Sequence, residues 1–94
     1  MSRYRSVCGT VADTRYVAIE GNTTYLYFER AHPGHPFEVV ISGSIRGSFV
    51  ERPERLYMGK TVCVKGRISL AGAPRIVVTD RGQISVTEAA SDSL

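Results

Sequence analysis

Hydrophobic and polar positions alternate most regularly over residues 61–69, TVCVKGRIS. There Val62, Val64, Gly66 and Ile68 share one parity, and Lys65, Arg67 and Ser69 take the other. A period of two predicts a strand with one buried and one wet face. After the small turn Leu70-Ala71-Gly72-Ala73, residues 74–79 alternate again and turn Ile76 and Val78 inward, so the two runs predict a β-hairpin. Its apolar face needs a partner, which the chain before it supplies.

Residues 4–19, YRSVCGTVADTRYVAI, predict one long first strand. Val7, Gly9 and Val11 face one way and Cys8 and Thr10 the other; Gly9 marks the expected bend or bulge, and Asp13-Thr14-Arg15 interrupts the rhythm. A Gly-Asn turn leads into the second strand, TYLYFE at 24–29, with Leu26 and Phe28 toward the core and Tyr25 and Tyr27 toward water. The loop RAHPGHP precedes a third strand at 37–41, where Phe37, Val39 and Ile41 point in and Glu38 and Val40 point out.

Residues 42–58 break the strand rhythm. Pro53 at a helix start and Gly59 at its end predict about two helical turns, with Phe49, Leu56 and Met58 plugging one end of the core. Ile84-Ser85-Val86 adds a short last strand. Three strands, a helical plug, two strands and an extra edge predict an all-β fold. The fold expected is a five-stranded Greek-key OB-fold barrel over residues 1–87, with residues 88–94 expected to be a disordered tail.

Composition narrows the function. At 94 residues the chain has room for one core, and no apolar run approaches the roughly 20 residues of a membrane span. The start, MSRYRSVCG, lacks the apolar stretch of an export signal, so the expected compartment is the cytoplasm, or an exported one if the native N-terminus has been trimmed. Net charge is +3, but two acidic residues, Glu88 and Asp92, fall in the tail and leave a more basic packed part. Ten of the twelve basic residues are Arg, which pairs with phosphate and stacks on flat rings; a genome rich in G and C enriches Arg equally well.

Catalysis is not expected. There are no paired carboxylates on one strand, no nucleophile–base set and no Gly-rich phosphate loop, so neither an enzyme nor a cofactor is predicted. His32 and His35 read as turn residues, since zinc needs three or four ligands. Cys8 and Cys63 share outward parity on neighbouring strands. They are either bridged, if their Cα atoms come within about 7 Å, or the two free thiols usual in the cytoplasm.

GNTTYLYFE, HPFEVVI and LYMGKTVCVKGRISLAGAPRIVVTDRGQISV together resemble small bacterial OB-fold domains of the nucleic-acid-binding type, found alone or attached to nucleases and other DNA-handling proteins. The resemblance covers about residues 6–86; Gly59, Lys60, Gly66, Gly72, Pro74 and Asp80 match its turn and strand-end positions. The chain departs at Ala71-Gly72-Ala73, where a more polar or aromatic turn is expected, and at Glu29-Arg30, where a glycine is expected.

The outer face of strand two is the usual ligand platform of OB-folds. The expected function is therefore binding of single-stranded nucleic acid with little sequence preference. Tyr25 and Tyr27 stack bases, and Arg15, Arg30, Arg67 and Arg75 contact phosphates. Glu38 opposes phosphate there unless it pairs with a cation such as Arg30 or reads a base edge. The alternatives on the same strand are a protein partner, a second copy of the chain, or a sugar or other small ligand.

Overall fold

Apolar alternation becomes a closed barrel in the computed structural model, which describes residues 3–30, 36–49, 51–70 and 74–87. The expected tail at 88–94, the loop histidines His32 and His35 and the turn at 71–73 lie outside the described residues. Six strands run in chain order: β1 (Arg3–Val17), β2 (Thr23–Phe28), β3 (Phe37–Ile41), β4 (Thr61–Ser69), β5 (Arg75–Val78) and β6 (Ile84–Val86). Their spatial order is β1-β2-β3-β5-β4-β6, with a further β1–β4 pairing that closes the first five into a ring. All neighbours are antiparallel except β3 and β5. That is the five-stranded Greek-key barrel of the OB-fold.

β1 is long because it serves two partners. Its first half pairs β4 from Arg3↔Ile68 to Thr10↔Thr61, and its second half pairs β2 from Val11↔Phe28 to Val17↔Thr23. The core holds the residues that alternation turned inward: Leu26, Phe28, Val39, Ile41, Val62, Val64, Ile76 and Val78 are all buried. The β4–β5 ladder pairs two positions, Ile68↔Ile76 and Ser69↔Arg75, and β6 takes over the free edge of β4 from Val62 to Val64.

The bend falls later than the glycine suggested. Two residues of β1 pass for one of β2 between Val11 and Asp13, a bulge that leaves Ala12 as the extra residue. Gly9 serves packing instead: a Cβ there would come within 2.5 Å of the Phe28 ring. The bulge flips parity. Before it Val11 faces the core opposite Phe28; after it Asp13, Arg15 and Val17 share the outer face with Tyr27, Tyr25 and Thr23.

The plug is a 3-10 turn (Gly43–Ser48) followed by a single turn of helix, α1 (Pro53–Leu56), shorter than the two turns expected. The chain leaves it at Gly59, φ 78°, to pair with the bulge: Gly59 N–H donates to the Val11 carbonyl and Val11 N–H to the Lys60 carbonyl, both at 2.9 Å. Phe49 and Tyr57 meet edge to face, centroids 6.0 Å apart, and seal that end of the core. Tyr57 thus takes the place expected of Met58, which is 47% exposed. Among the described residues no helix is long and apolar enough to cross a membrane.

Candidate functional site

Strand pairing lays two rows of side chains across the outer face of the barrel. One row runs Arg15–Tyr25–Val40–Val77 and the next runs Asp13–Tyr27–Glu38–Arg75, each residue directly opposite its neighbour on β1, β2, β3 and β5 in turn. Facing residues share a side of the sheet, so the bulge in β1 is what brings Arg15 beside the tyrosines. A groove of about 200 Å³ opens between the rows, lined by Arg15, Val17, Glu20, Tyr25, Tyr27, Glu38 and Arg75.

The two phenol rings lie nearly parallel, 13° apart in plane with centroids 6.3 Å apart. They are not equally available. Tyr25 is half-buried, whereas Tyr27 is only 3% exposed although it stands on the outer face. The expectation that both rings meet water is thus corrected. Tyr27 sits centrally, between Asp13 and Glu38, and the Arg15 guanidinium bonds its hydroxyl. Burial pushes its hydroxyl pKa upward, and the Arg15 contact pulls it partly back. The Tyr25 hydroxyl donates to Glu20 Oε1 at 2.9 Å; that bond, followed by burial, raises its pKa. Both rings are neutral phenols at physiological pH.

Glu38 pairs with Arg75. Arg75 Nε lies 3.0 Å from Glu38 Oε2, off the hydrogen-bonding line, so this is an ion pair by proximity. Glu38 is 5% exposed, which makes it part of the floor of the groove. The charges therefore mix: Asp13, Glu20 and Glu38 against Arg15 and Arg75.

Of the residues expected to form one site, the structure brings together Tyr25, Tyr27, Arg15 and Arg75 and separates two others. Arg30 lies beyond the end of β2, past Glu29, and Arg67 stands on β4 opposite Tyr4, on another side of the barrel. The contributions of Glu20 and Val17 carried no signal in the pattern, because Glu20 depends on how the β1–β2 turn folds back and Val17 on the parity flip at the bulge. That turn is well tied. Tyr16 Oη donates to Asn22 Oδ1 at 2.6 Å, Thr23 Oγ1 donates to the Glu20 carbonyl, and Gly21 and Asn22 both take left-handed backbone.

Cys8 and Cys63 are joined by a disulfide, with Cα atoms 4.0 Å apart at a directly facing position of the β1–β4 ladder. Comparison of the chain with protein-family models, curated proteins and solved structures finds no match.

Proposed function

We propose that this chain is a non-catalytic OB-fold module that binds single-stranded nucleic acid weakly and with little sequence preference. The observation that carries the reading is the groove on β1, β2, β3 and β5, where a half-buried Tyr25 stands beside Arg15 and shares the lining with Arg75, on the face OB barrels use for oligonucleotides. One unpaired base stacks on Tyr25, whose π-face accepts any base. Tyr27 supports that ring from beneath the groove instead of stacking a second base. Arg15 meets a phosphate, and Arg75, already neutralising Glu38, offers its exposed edge.

The likeness to nucleic-acid-binding OB domains in GNTTYLYFE and HPFEVVI belongs to the same reading. The surface disulfide favours an oxidising compartment over the cytoplasm. A protein partner is the second reading, favoured by the three carboxylates and the exposed Val77 on this face.

Fluorescence anisotropy of a labelled oligonucleotide tests the first reading. Tyr25→Ala is expected to weaken binding by about 1–3 kcal/mol. No binding at low salt, or binding indifferent to that substitution, removes the groove from the account.

A further inference from the structure

The groove's mixed charge leaves the chain's positive excess elsewhere. On the opposite side of β1 the outward positions pair Tyr4 with Arg67, Ser6 with Lys65, Cys8 with Cys63 and Thr10 with Thr61; Ser85 of β6 continues the row at Cys63. No carboxylate occupies any of these positions. Two described acids at its margins serve the backbone: Glu29 Oε2 accepts from Thr10 N–H at 3.2 Å, and Asp80 Oδ2 accepts from Gly82 N–H at 2.8 Å. Between the strands lies a cleft of about 230 Å³ lined by Ser6, Cys63, Lys65, Gly82, Gln83 and Ser85. Cys63 lines it, and its disulfide to Cys8 holds β1 and β4 in fixed register there.

We infer that this β1–β4 face is a second contact surface for a single strand of nucleic acid, with Lys65 and Arg67 following the phosphates and Tyr4 stacking a base. The inference rests on the reading of the chain as a nucleic-acid binder.

Three features select this occupant. The free hydrogen-bonding side chains of the cleft are hydroxyls and an ammonium, groups that donate to phosphate oxygens, with no acceptor-only group to repel them. Lys65 and Arg67 are two residues apart on one strand, hence about 7 Å apart on one face, a pitch that suits consecutive phosphates of an extended chain. Tyr4, 66% exposed, stands directly across from Arg67, so a ring for a base and a cation for its phosphate are presented side by side. The two surfaces thus divide the labour: the groove on β2 supplies stacking with little net charge, and this face supplies the salt-sensitive attraction.

The test is anisotropy of a labelled oligonucleotide, long enough to cross the barrel, over a salt series, with three variants. Lys65→Gln combined with Arg67→Gln is expected to make the slope of log K against log salt shallower by about 1.4, since each lost phosphate contact on a single strand removes about 0.7. Tyr4→Ala is expected to lower K by about 5-fold or more with the slope unchanged. If the oligonucleotide binds and only Tyr25→Ala weakens it, the β1–β4 surface is overturned and the groove reading survives. If only the β1–β4 variants weaken it, this surface stands and the groove reading falls. Absence of binding at low salt overturns both. Sedimentation with phosphatidylserine vesicles in the absence of any oligonucleotide binding assigns the face to a membrane and equally overturns the inference. All three positions are exposed, so the variants should keep the parent's thermal midpoint, and that measurement accompanies the titration.

Discussion

Gln83 shows how much a single polar side chain can hold. Its Nε2 donates to the Lys65 carbonyl at 2.9 Å and reaches the Val77 carbonyl at 3.3 Å, while its Oε1 accepts from the amides of Thr79 at 2.8 Å and Asp80 at 3.0 Å. It therefore laces β4 to β5 where their ladder has run out. Gln83→Ala leaves four backbone groups short of a partner. Water reaches some of them, so the expected loss is about 1–3 kcal/mol in urea unfolding. Gln83→Glu should cost more, because an acceptor-only carboxylate would face two carbonyls. A Gln83→Ala variant within about 0.5 kcal/mol of the parent defeats the account.

The D-x-x-Q spacing of Asp80 and Gln83 is a local capping box, but nothing in it marks the reach of Nε2 to Lys65 on β4, which lies 18 residues away. Tyr27 is the same lesson inverted: alternation says which side of the sheet a ring takes, while its cover comes from β1 and β3. The departure noted at Glu29 has a physical counterpart. Glu29 holds φ 69°, the left-handed backbone a glycine enters without cost, and its N–H and carboxylate both bond Thr10.

At the level of elements, the plug is fastened by Arg46. Its Nη1 and Nη2 bond both carboxylate oxygens of Glu54 at 2.7 and 3.0 Å, Nη1 also donates to Thr24 Oγ1 at 3.0 Å, and its guanidinium lies 3.8 Å from the centre of the Tyr16 ring. One side chain thus ties the 3-10 turn to α1, β1 and β2. The bond from Arg46 holds the Glu54 carboxyl below its ordinary value, against the opposing pull of burial. A carboxyl depressed in the folded state stabilises fully above its unfolded value of about 4.3 and loses that contribution as pH falls through the lower folded value. Glu54→Gln should therefore cost about 1–3 kcal/mol at neutral pH, and the gap from the parent should close as pH drops below 4. Urea titrations at the two pH values check it; a gap independent of pH excludes the ion pair as its source. Strand existence and facing were legible because periodicity is local. The bulge at Ala12, the 3-10 turn and the shortened α1 were not, because each is set by what the segment packs against.

For the whole molecule the decisive seam is β1 against β4, the longest ladder of the ring, running from Arg3↔Ile68 to Thr10↔Thr61. It joins segments 55 residues apart at Cys8 and Cys63, so an uncrosslinked chain must lose the entropy of a long loop before the ladder forms. The bridge removes that cost from the unfolded state, worth about 4 kcal/mol for a loop of this length in the chain-entropy model. Against a total of about 5–15 kcal/mol for a domain of this size, that is a large share. The sulfurs meet because outward parity places both cysteines on one face, and a Cα separation of 4.0 Å belongs to the closer, non-hydrogen-bonded kind of facing pair. A variant with Cys8→Ser and Cys63→Ser keeps the rest of the ladder from Arg3↔Ile68 to Thr10↔Thr61, so it should still close the barrel. Its thermal midpoint should fall by about 15–30 °C, and reductant should lower the parent to the same point while leaving the variant unmoved. A parent whose midpoint ignores reductant, or a double-serine variant that melts with it, would mean that the ladder and the plug hold the ring without the bridge.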